Sequence, residues 1–268
     1  MGLTTKILRN EHPRQYLDFL ANFLKGVRVN APPIFIVGCG HSGTSVLLNI
    51  LDMHPHIHAV PFESRVFLKS SWKIRLAKLF WDKNTIASGK QRWAEKTPNH
   101  VHAIGRILAT YPEARVLLII RDGRDVAVSL RKRTGDFAGG VARWVDDNRA
   151  GEAFWNHPQV FRLTYEEMVS RFDDIIPRVC EFLGEPYDAA MRNFHLRRLN
   201  LFRSGQATPP PSEAGDHHNQ HRNWQINQQL FNGSGRWQGE MSAEEKKLFK
   251  DKAGQMLIEY GYASDMNW

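Results

Sequence analysis

A glycine- and hydroxyl-rich stretch at residues 38–45 has the composition of an anion-binding loop. It follows an apolar run at 34–37 and precedes a helical pattern of apolar residues. Glycines let backbone N–H groups wrap around an anion, and the helix N-terminus adds a partial positive charge. The hydroxyls of Ser42, Thr44 and Ser45 add further donors. The stretch therefore predicts a strand, a phosphate-binding loop and the first turn of a helix.

This loop departs from the phosphate-binding loop of nucleoside triphosphatases at one position. Gly38 and Gly43 have the G-x-x-x-x-G spacing of a P-loop, but Thr44 and Ser45 follow where Lys-Ser or Lys-Thr is expected. The loop favours a phosphate ligand, whereas ordinary ATP hydrolysis is not indicated. Taken alone, these residues leave open a glycine-rich turn that binds nothing.

Three further charged residues follow predicted strands. Glu63 comes after a short strand at 57–60, Lys96 stands at a strand-to-helix junction, and Arg121 ends the aliphatic run at 115–120. Strand alternates with helix three times, which predicts right-handed crossovers in a doubly wound parallel sheet of the α/β class. Ligands of such sheets gather at the carboxyl ends of the strands. We therefore expect these side chains to lie close to the loop.

The remaining pattern is mostly helical. A strand is predicted at 160–163, and helices are predicted at 11–26, 47–54, 65–78, 99–110, 172–183 and 242–260. Thr97 or Asn99 is a candidate cap of the fourth of these helices, and Ser242 begins a capping box at the last. The segment 203–232 is rich in proline, glycine and histidine, and this composition predicts a mobile loop.

Length and charge limit the class of protein. We expect the 268 residues to form one α/β domain, 1–268, with residues 1–30 as an N-terminal helical extension. An excess of 36 basic over 28 acidic residues gives a net charge of +8, which favours anionic partners. The pattern contains neither a signal peptide nor a membrane span, and the two cysteines do not form a disulfide framework. A soluble, cytoplasmic protein is the expectation.

Together these motifs resemble the superfamily of sulfotransferases that use 3′-phosphoadenosine 5′-phosphosulfate (PAPS), in particular its Golgi-type and bacterial carbohydrate branch near the tyrosylprotein sulfotransferases. The resemblance covers residues 34 to 261. It implies a P-loop-like fold, PAPS as co-substrate and 3′-phosphoadenosine 5′-phosphate (PAP) as product. It also explains why the P-loop lysine is missing.

The resemblance implies a cofactor-binding role for several residues. The loop would hold the 5′-phosphate and sulfonate, and Arg121 with Ser129, eight residues later, would bind the 3′-phosphate. Tyr165 belongs to a segment similar to one that lies near the adenine in that family. A late glycine-rich segment would close over the nucleotide, with Arg236 as a phosphate contact. The full set is Gly40, His41, Ser42, Gly43, Thr44, Ser45, Arg121, Ser129, Tyr165, Ser234, Gly235 and Arg236.

The resemblance also implies catalytic roles for three residues. Glu63 would act as the general base toward the acceptor hydroxyl. Lys96, which stands 25 residues before Arg121, would donate to the bridging oxygen as the nucleotide leaves. His41 stands where many relatives have arginine or lysine, so the charge at this point of the loop depends on pH. For Glu63 and Lys96 the alternatives are a helix-capping glutamate and a surface lysine.

The resemblance implies a hydroxyl-bearing acceptor, and the basic pattern at 65–78 favours a glycan. A tyrosyl peptide or a small phenol or alcohol is the alternative within the same class. A P-loop kinase and a non-enzymatic polyanion binder are alternatives of other classes, but neither accounts for the order of these motifs. No metal and no nucleic acid are expected, and His217, His218 and His221 are interpreted as loop residues.

Overall fold

A parallel five-stranded sheet forms the centre of the protein. The computed structural model describes residues 28–197, 223–224, 226–230 and 232–268. The expected N-terminal helix at 11–26, most of the expected mobile segment at 203–232, and His217, His218 and His221 lie outside these residues. The strands are β1 (Ile34–Gly38), β2 (Ile57–Ala59), β3 (Arg92–Lys96), β4 (Arg115–Ile120) and β5 (Val160–Thr164).

Helices connect and cover these strands. The α-helices are α1 (Thr44–Asp52), α2 (Ser71–Ala87), α3 (Ile104–Thr110), α4 (Gly123–Thr134), α5 (Phe137–Glu152), α6 (Tyr165–Ser170), α7 (Phe172–Leu183), α8 (Trp237–Glu240) and α9 (Ala243–Glu259). Short 3₁₀ helices span Val66–Leu68, Pro98–Ala103 and Ala189–Leu196. No helix in the described parts of the chain combines the length and apolar character needed to cross a membrane.

The strand order is β2-β3-β1-β4-β5, and every pair of neighbours is parallel. Alternate residues of β1 face opposite sides of the sheet. Ile34 and Ile36 pack into a core with α1, α6 and α7, whereas Phe35 and Val37 pack into a second core with α2 and α3. The predicted fold class, a doubly wound α/β sheet with helices on both faces, is confirmed.

Two helix predictions were wrong in detail. The predicted helix at 65–78 is a 3₁₀ turn followed by α2, because the chain is extended at Lys69 and Ser70 between them. The predicted helix at 99–110 begins as a 3₁₀ helix and becomes α-helical only at α3. Thr97 precedes it but makes no capping hydrogen bond, because its hydroxyl is donated to Glu95.

Both cysteines are free and fully buried, in two different cores. Burial raises the pKa of the Cys39 thiol well above its usual value, and the nearby Asp147 raises it further. Burial likewise raises the pKa of Cys180 to about 11. Since the thiolate is the reactive form, we expect neither cysteine to react with iodoacetamide at pH 8 in the native protein, and both to react in urea. Mass spectrometry would measure this; rapid native labelling would contradict the described packing.

Candidate functional site

Two glycines make the turn between β1 and α1 possible. Gly38 has a φ of 141°, and a Cβ there would lie 2.2 Å from the carbonyl oxygen of Ile119 on β4. Gly43 has a φ of 91°, and its Cβ would lie 2.7 Å from the ring of Tyr165. A larger residue at either position would be both strained and obstructed. These two positions set the path of the loop.

The loop presents polar groups suited to an anion. Gly43 occupies the N-cap of α1 and provides no side-chain cap for the first N–H groups of that helix. The Ser42 hydroxyl is buried and has no hydrogen-bond partner among the described residues. A buried hydroxyl beside a helix N-terminus fits a bound phosphate or sulfonate, which would accept hydrogen bonds from both.

Glu63 and Lys96 form an ion pair at the carboxyl end of β3. The Lys96 ammonium donates to Glu63 Oε1 over 2.6 Å. The Lys96 side chain is almost completely buried, whereas that of Glu63 is 19% exposed. Glu63 can therefore be reached from solvent, while Lys96 approaches from within the sheet. Two of the three residues to which the resemblance assigns catalytic roles are therefore in direct contact.

Arg121 connects the loop to the late glycine-rich segment. Its guanidinium donates to the carbonyl of His41 over 3.1 Å and to the carbonyl of Gly233 over 2.7 Å. It also lies 4.2 Å from the centre of the Tyr165 ring, a favourable cation–π contact. Arg121 Nε is buried without a hydrogen-bond partner among the described residues. The guanidinium thus holds two segments together and retains an N–H that fits an anion.

His41 lies beside Ser129, the other residue to which the sequence assigns the 3′-phosphate. His41 Nδ1 and Ser129 Oγ are 2.8 Å apart, and His41 has a left-handed backbone with a φ of 70°. His41 therefore contacts both residues assigned to the 3′-phosphate: its carbonyl accepts from Arg121, and its ring lies beside Ser129. The two predicted phosphate subsites therefore meet at His41.

The late segment is held by Asp125 on α4. Its carboxylate accepts hydrogen bonds from the backbone N–H groups of Gly235 over 2.8 Å and Trp237 over 3.0 Å. Ser234 Oγ is buried without a hydrogen-bond partner among the described residues. The Arg236 side chain is 41% exposed and pairs with Glu240 at 3.1 Å. The structure brings Ser234 and Gly235 close to Arg121 through this segment, whereas the recorded side-chain partner of Arg236 is Glu240.

Arg143 on α5 is a charged group beside the loop that the sequence analysis missed. A Cβ on Gly40 would lie 2.8 Å from Arg143 Nη2, so the guanidinium packs against the loop backbone. Arg143 also donates to Asn99 over 2.8 Å and to Asp147 over 3.2 Å. It lies on a helix with several other charged residues, and nothing in that local pattern distinguishes it from them.

Comparison with known proteins agrees with this arrangement. The family model described as "Sulfotransferase family" matches residues 63–189, a range that begins at Glu63 and contains Lys96, Arg121, Ser129 and Tyr165. That range is 127 of the 268 residues, so the match shows similarity to this family over somewhat less than half of the chain. The chain is 25% identical to nodulation protein NoeE of Sinorhizobium fredii, with 87% of this chain and 66% of that protein covered.

A second relative is protein-tyrosine sulfotransferase 1 of Rattus norvegicus. It is 30% identical to this chain, with 47% of this chain and 41% of the rat protein covered. The chain therefore spans about two fifths to two thirds of the length of these two relatives. Among solved structures, mouse sulfotransferase SULT7A1 complexed with PAP superposes with a TM-score of 0.56 at 19% identity, covering 91% of this chain and 94% of that one. That similarity establishes the fold.

Proposed function

We propose that this protein is a sulfotransferase that transfers the sulfuryl group of PAPS to an acceptor hydroxyl. The observation that carries the proposal is the Glu63–Lys96 ion pair, which lies at the same edge of the sheet as the phosphate-binding loop. This edge of the sheet combines a proton acceptor, Glu63, with a cation, Lys96, and an anion-binding loop. PAPS supplies an activated sulfuryl group whose transfer depends mainly on positioning and charge stabilisation.

Glu63 and Lys96 have complementary roles in this proposal. Glu63 takes the proton of the acceptor hydroxyl while the acceptor oxygen forms its bond to sulfur and the bond from sulfur to the 5′-phosphate oxygen breaks. As Glu63 is protonated its negative charge is lost, and charge develops on the leaving oxygen. Lys96 can then exchange its hydrogen bond to Glu63 for one to that oxygen, since a lysine ammonium has three donors.

The anion-binding residues divide into two groups. We assign Ser42 and the N-terminus of α1 to the 5′-phosphate and sulfonate, and Arg121 with Ser129 to the 3′-phosphate. The buried polar atoms without partners, Ser42 Oγ, Arg121 Nε and Ser234 Oγ, support this assignment because anionic oxygens would satisfy them. His41 contacts the second group and belongs to the first by its place in the loop.

The acceptor we favour is a hydroxyl on a carbohydrate. The basic residues at the start of α2 support a polyhydroxylated or anionic acceptor. Similarity to protein-tyrosine sulfotransferase 1 favours a tyrosyl peptide as the second candidate. The two free cysteines favour a reducing compartment such as the cytoplasm.

Incubation with PAPS labelled in its sulfuryl group, across panels of oligosaccharides, tyrosyl peptides and simple phenols, tests the proposal. We expect label to enter at least one oligosaccharide in proportion to the PAP formed. Preferential labelling of the peptides would replace the glycan assignment with the tyrosyl one. Binding of PAPS without label transfer to any hydroxyl would contradict the proposed reaction.

Arg143 should contribute to cofactor binding because its guanidinium lies beside Gly40 of the loop. We expect Arg143→Gln to weaken PAP binding about tenfold, because a charge-assisted interaction with the anion is lost. Isothermal titration calorimetry measures the affinity. Arg149→Gln is the matched control: Arg149 lies on the same helix but pairs with Glu152 and Glu259. Equal PAP affinity in both variants would exclude Arg143 from the site.

A further inference from the structure

A buried carboxylate lies next to the Glu63–Lys96 pair and is not used by the chemistry described above. Glu95 precedes Lys96 on β3 and is completely buried. It accepts hydrogen bonds from the backbone N–H of Ser64 over 3.2 Å, the Ser64 hydroxyl over 2.8 Å and the Thr97 hydroxyl over 2.6 Å. His100 Nδ1 lies 3.1 Å from its other oxygen. Each of these partners belongs to a segment beside the pair.

The network keeps the Glu95 carboxylate ionised. Burial alone would raise its pKa, but the interaction with His100 and the donors of Thr97 and Ser64 outweigh burial, and the pKa lies below its usual value. A charged group without solvent contact is stable only when its hydrogen bonds are satisfied. The surrounding side chains are consequently fixed in orientation by Glu95.

The same network holds the segment that follows Glu63. Arg65 has a left-handed backbone with a φ of 54°, a conformation that costs energy in a residue with a side chain. Its N–H lies 3.4 Å from the Thr97 hydroxyl, and the N–H of Phe67 donates to His100 Nε2 over 3.3 Å. Two partners of Glu95 therefore hold this strained segment against β3.

We propose that Glu95 is a positioning residue that sets the distance between Glu63 and Lys96. Ser64 is directly bonded in the chain to Glu63, and Thr97 directly to Lys96, so one carboxylate clamps the neighbours of both groups. The inference rests on the proposed function, since it concerns the reaction assigned to this pair. Glu95 itself contacts neither the acceptor nor the nucleotide in this scheme.

Glu95→Gln tests the proposal with little change in volume. The partners Ser64 and Thr97 donate hydrogen bonds, and His100 Nδ1 carries the proton because Nε2 accepts from Phe67. A glutamine NH₂ group would face at least one of these donors and disrupt the network. We expect kcat to fall about 10- to 100-fold, because a small misplacement of reacting groups lowers the rate by about this factor. PAP affinity should stay within about twofold of the wild type.

Glu185→Gln is the matched control. The Glu185 carboxylate is 11% exposed and binds Arg92 over 3.1 Å and His56 over 2.8 Å. Arg92 begins β3, so this network lies at the opposite end of the strand from Lys96. We expect Glu185→Gln to lower the thermal unfolding midpoint while kcat is unchanged. A similar stability loss in both variants, with wild-type kcat in both, would overturn the proposal.

A second pair of variants applies if Glu95→Gln does not fold. Thr97→Ser keeps the hydroxyl that Glu95 accepts from, whereas Thr97→Val removes it. We expect kcat to be preserved in the serine variant and reduced severalfold in the valine variant, with equal PAP affinity. Equal kcat in the two would overturn the proposal. If the wild type binds PAP but transfers no sulfuryl group, the proposed function fails instead, which is a distinct result.

Discussion

Glu63→Gln should lose nearly all sulfuryl transfer while binding PAP as tightly as the wild type. Glutamine retains the size of glutamate and can accept a hydrogen bond from Lys96, but it cannot take a proton. General bases contribute about 10²- to 10⁴-fold to rate, and we expect kcat to fall by about this factor. Transfer of labelled sulfuryl groups measures the rate, and calorimetry with PAP measures the affinity.

A second variant, Glu63→Asp, separates the loss of proton abstraction from the loss of the ion pair with Lys96. Glu63→Asp keeps a carboxylate but places it about one methylene further away, so an intermediate rate is expected. The same two variants, each assayed with every acceptor that the wild type labels, show whether the loss of rate is independent of the acceptor. Turnover of Glu63→Gln at the wild-type rate would remove Glu63 as the base.

Arg121→Ala should abolish discrimination in favour of a 3′-phosphate. Truncation of an arginine that pairs with a buried phosphate costs about 2 to 4 kcal/mol, which corresponds to about 30- to 1000-fold in affinity. We therefore expect PAP binding to weaken by this factor. Binding of adenosine 5′-monophosphate, which lacks the 3′-phosphate, should change much less.

The ratio of the two affinities is the informative quantity, because Arg121 also binds the carbonyls of His41 and Gly233. Loosening of these segments would weaken both nucleotides, whereas loss of the phosphate contact weakens PAP alone. Arg124→Ala is a control on the same stretch, since Arg124 binds Asp122 and the carbonyl of Tyr262. An unchanged ratio in Arg121→Ala would contradict the assignment of the 3′-phosphate to this arginine.

The fold and the edge that carries the site were predictable because their signals are local. The aliphatic run of β4 is typical of a strand buried on both faces, and Gly38 and Gly43 mark a turn that only glycine permits there. Parallel strands place their carboxyl ends at one edge. The proximity of Glu63 and Lys96 therefore follows from topology once the sheet is recognised.

The contacts that orient the site were not predictable, because they join distant parts of the chain. Ser64 and Glu95 are 31 residues apart, and a glutamate within a predicted strand end gives no sign that it will be buried among donors. His41 and Ser129 meet across 88 residues. For Arg236, the resemblance implies a phosphate contact, and the structure shows a local pairing with Glu240 that the sequence analysis did not predict.

Comparison of PAP and ATP binding to the wild-type protein, by calorimetry at the same ionic strength, tests the central claim most directly. A sulfotransferase site built from this loop, Arg121 and Ser129 should bind PAP at least about 100-fold more tightly than ATP, because only PAP carries the 3′-phosphate. ATP binding equal to or stronger than PAP binding would contradict the account and favour a nucleotide kinase.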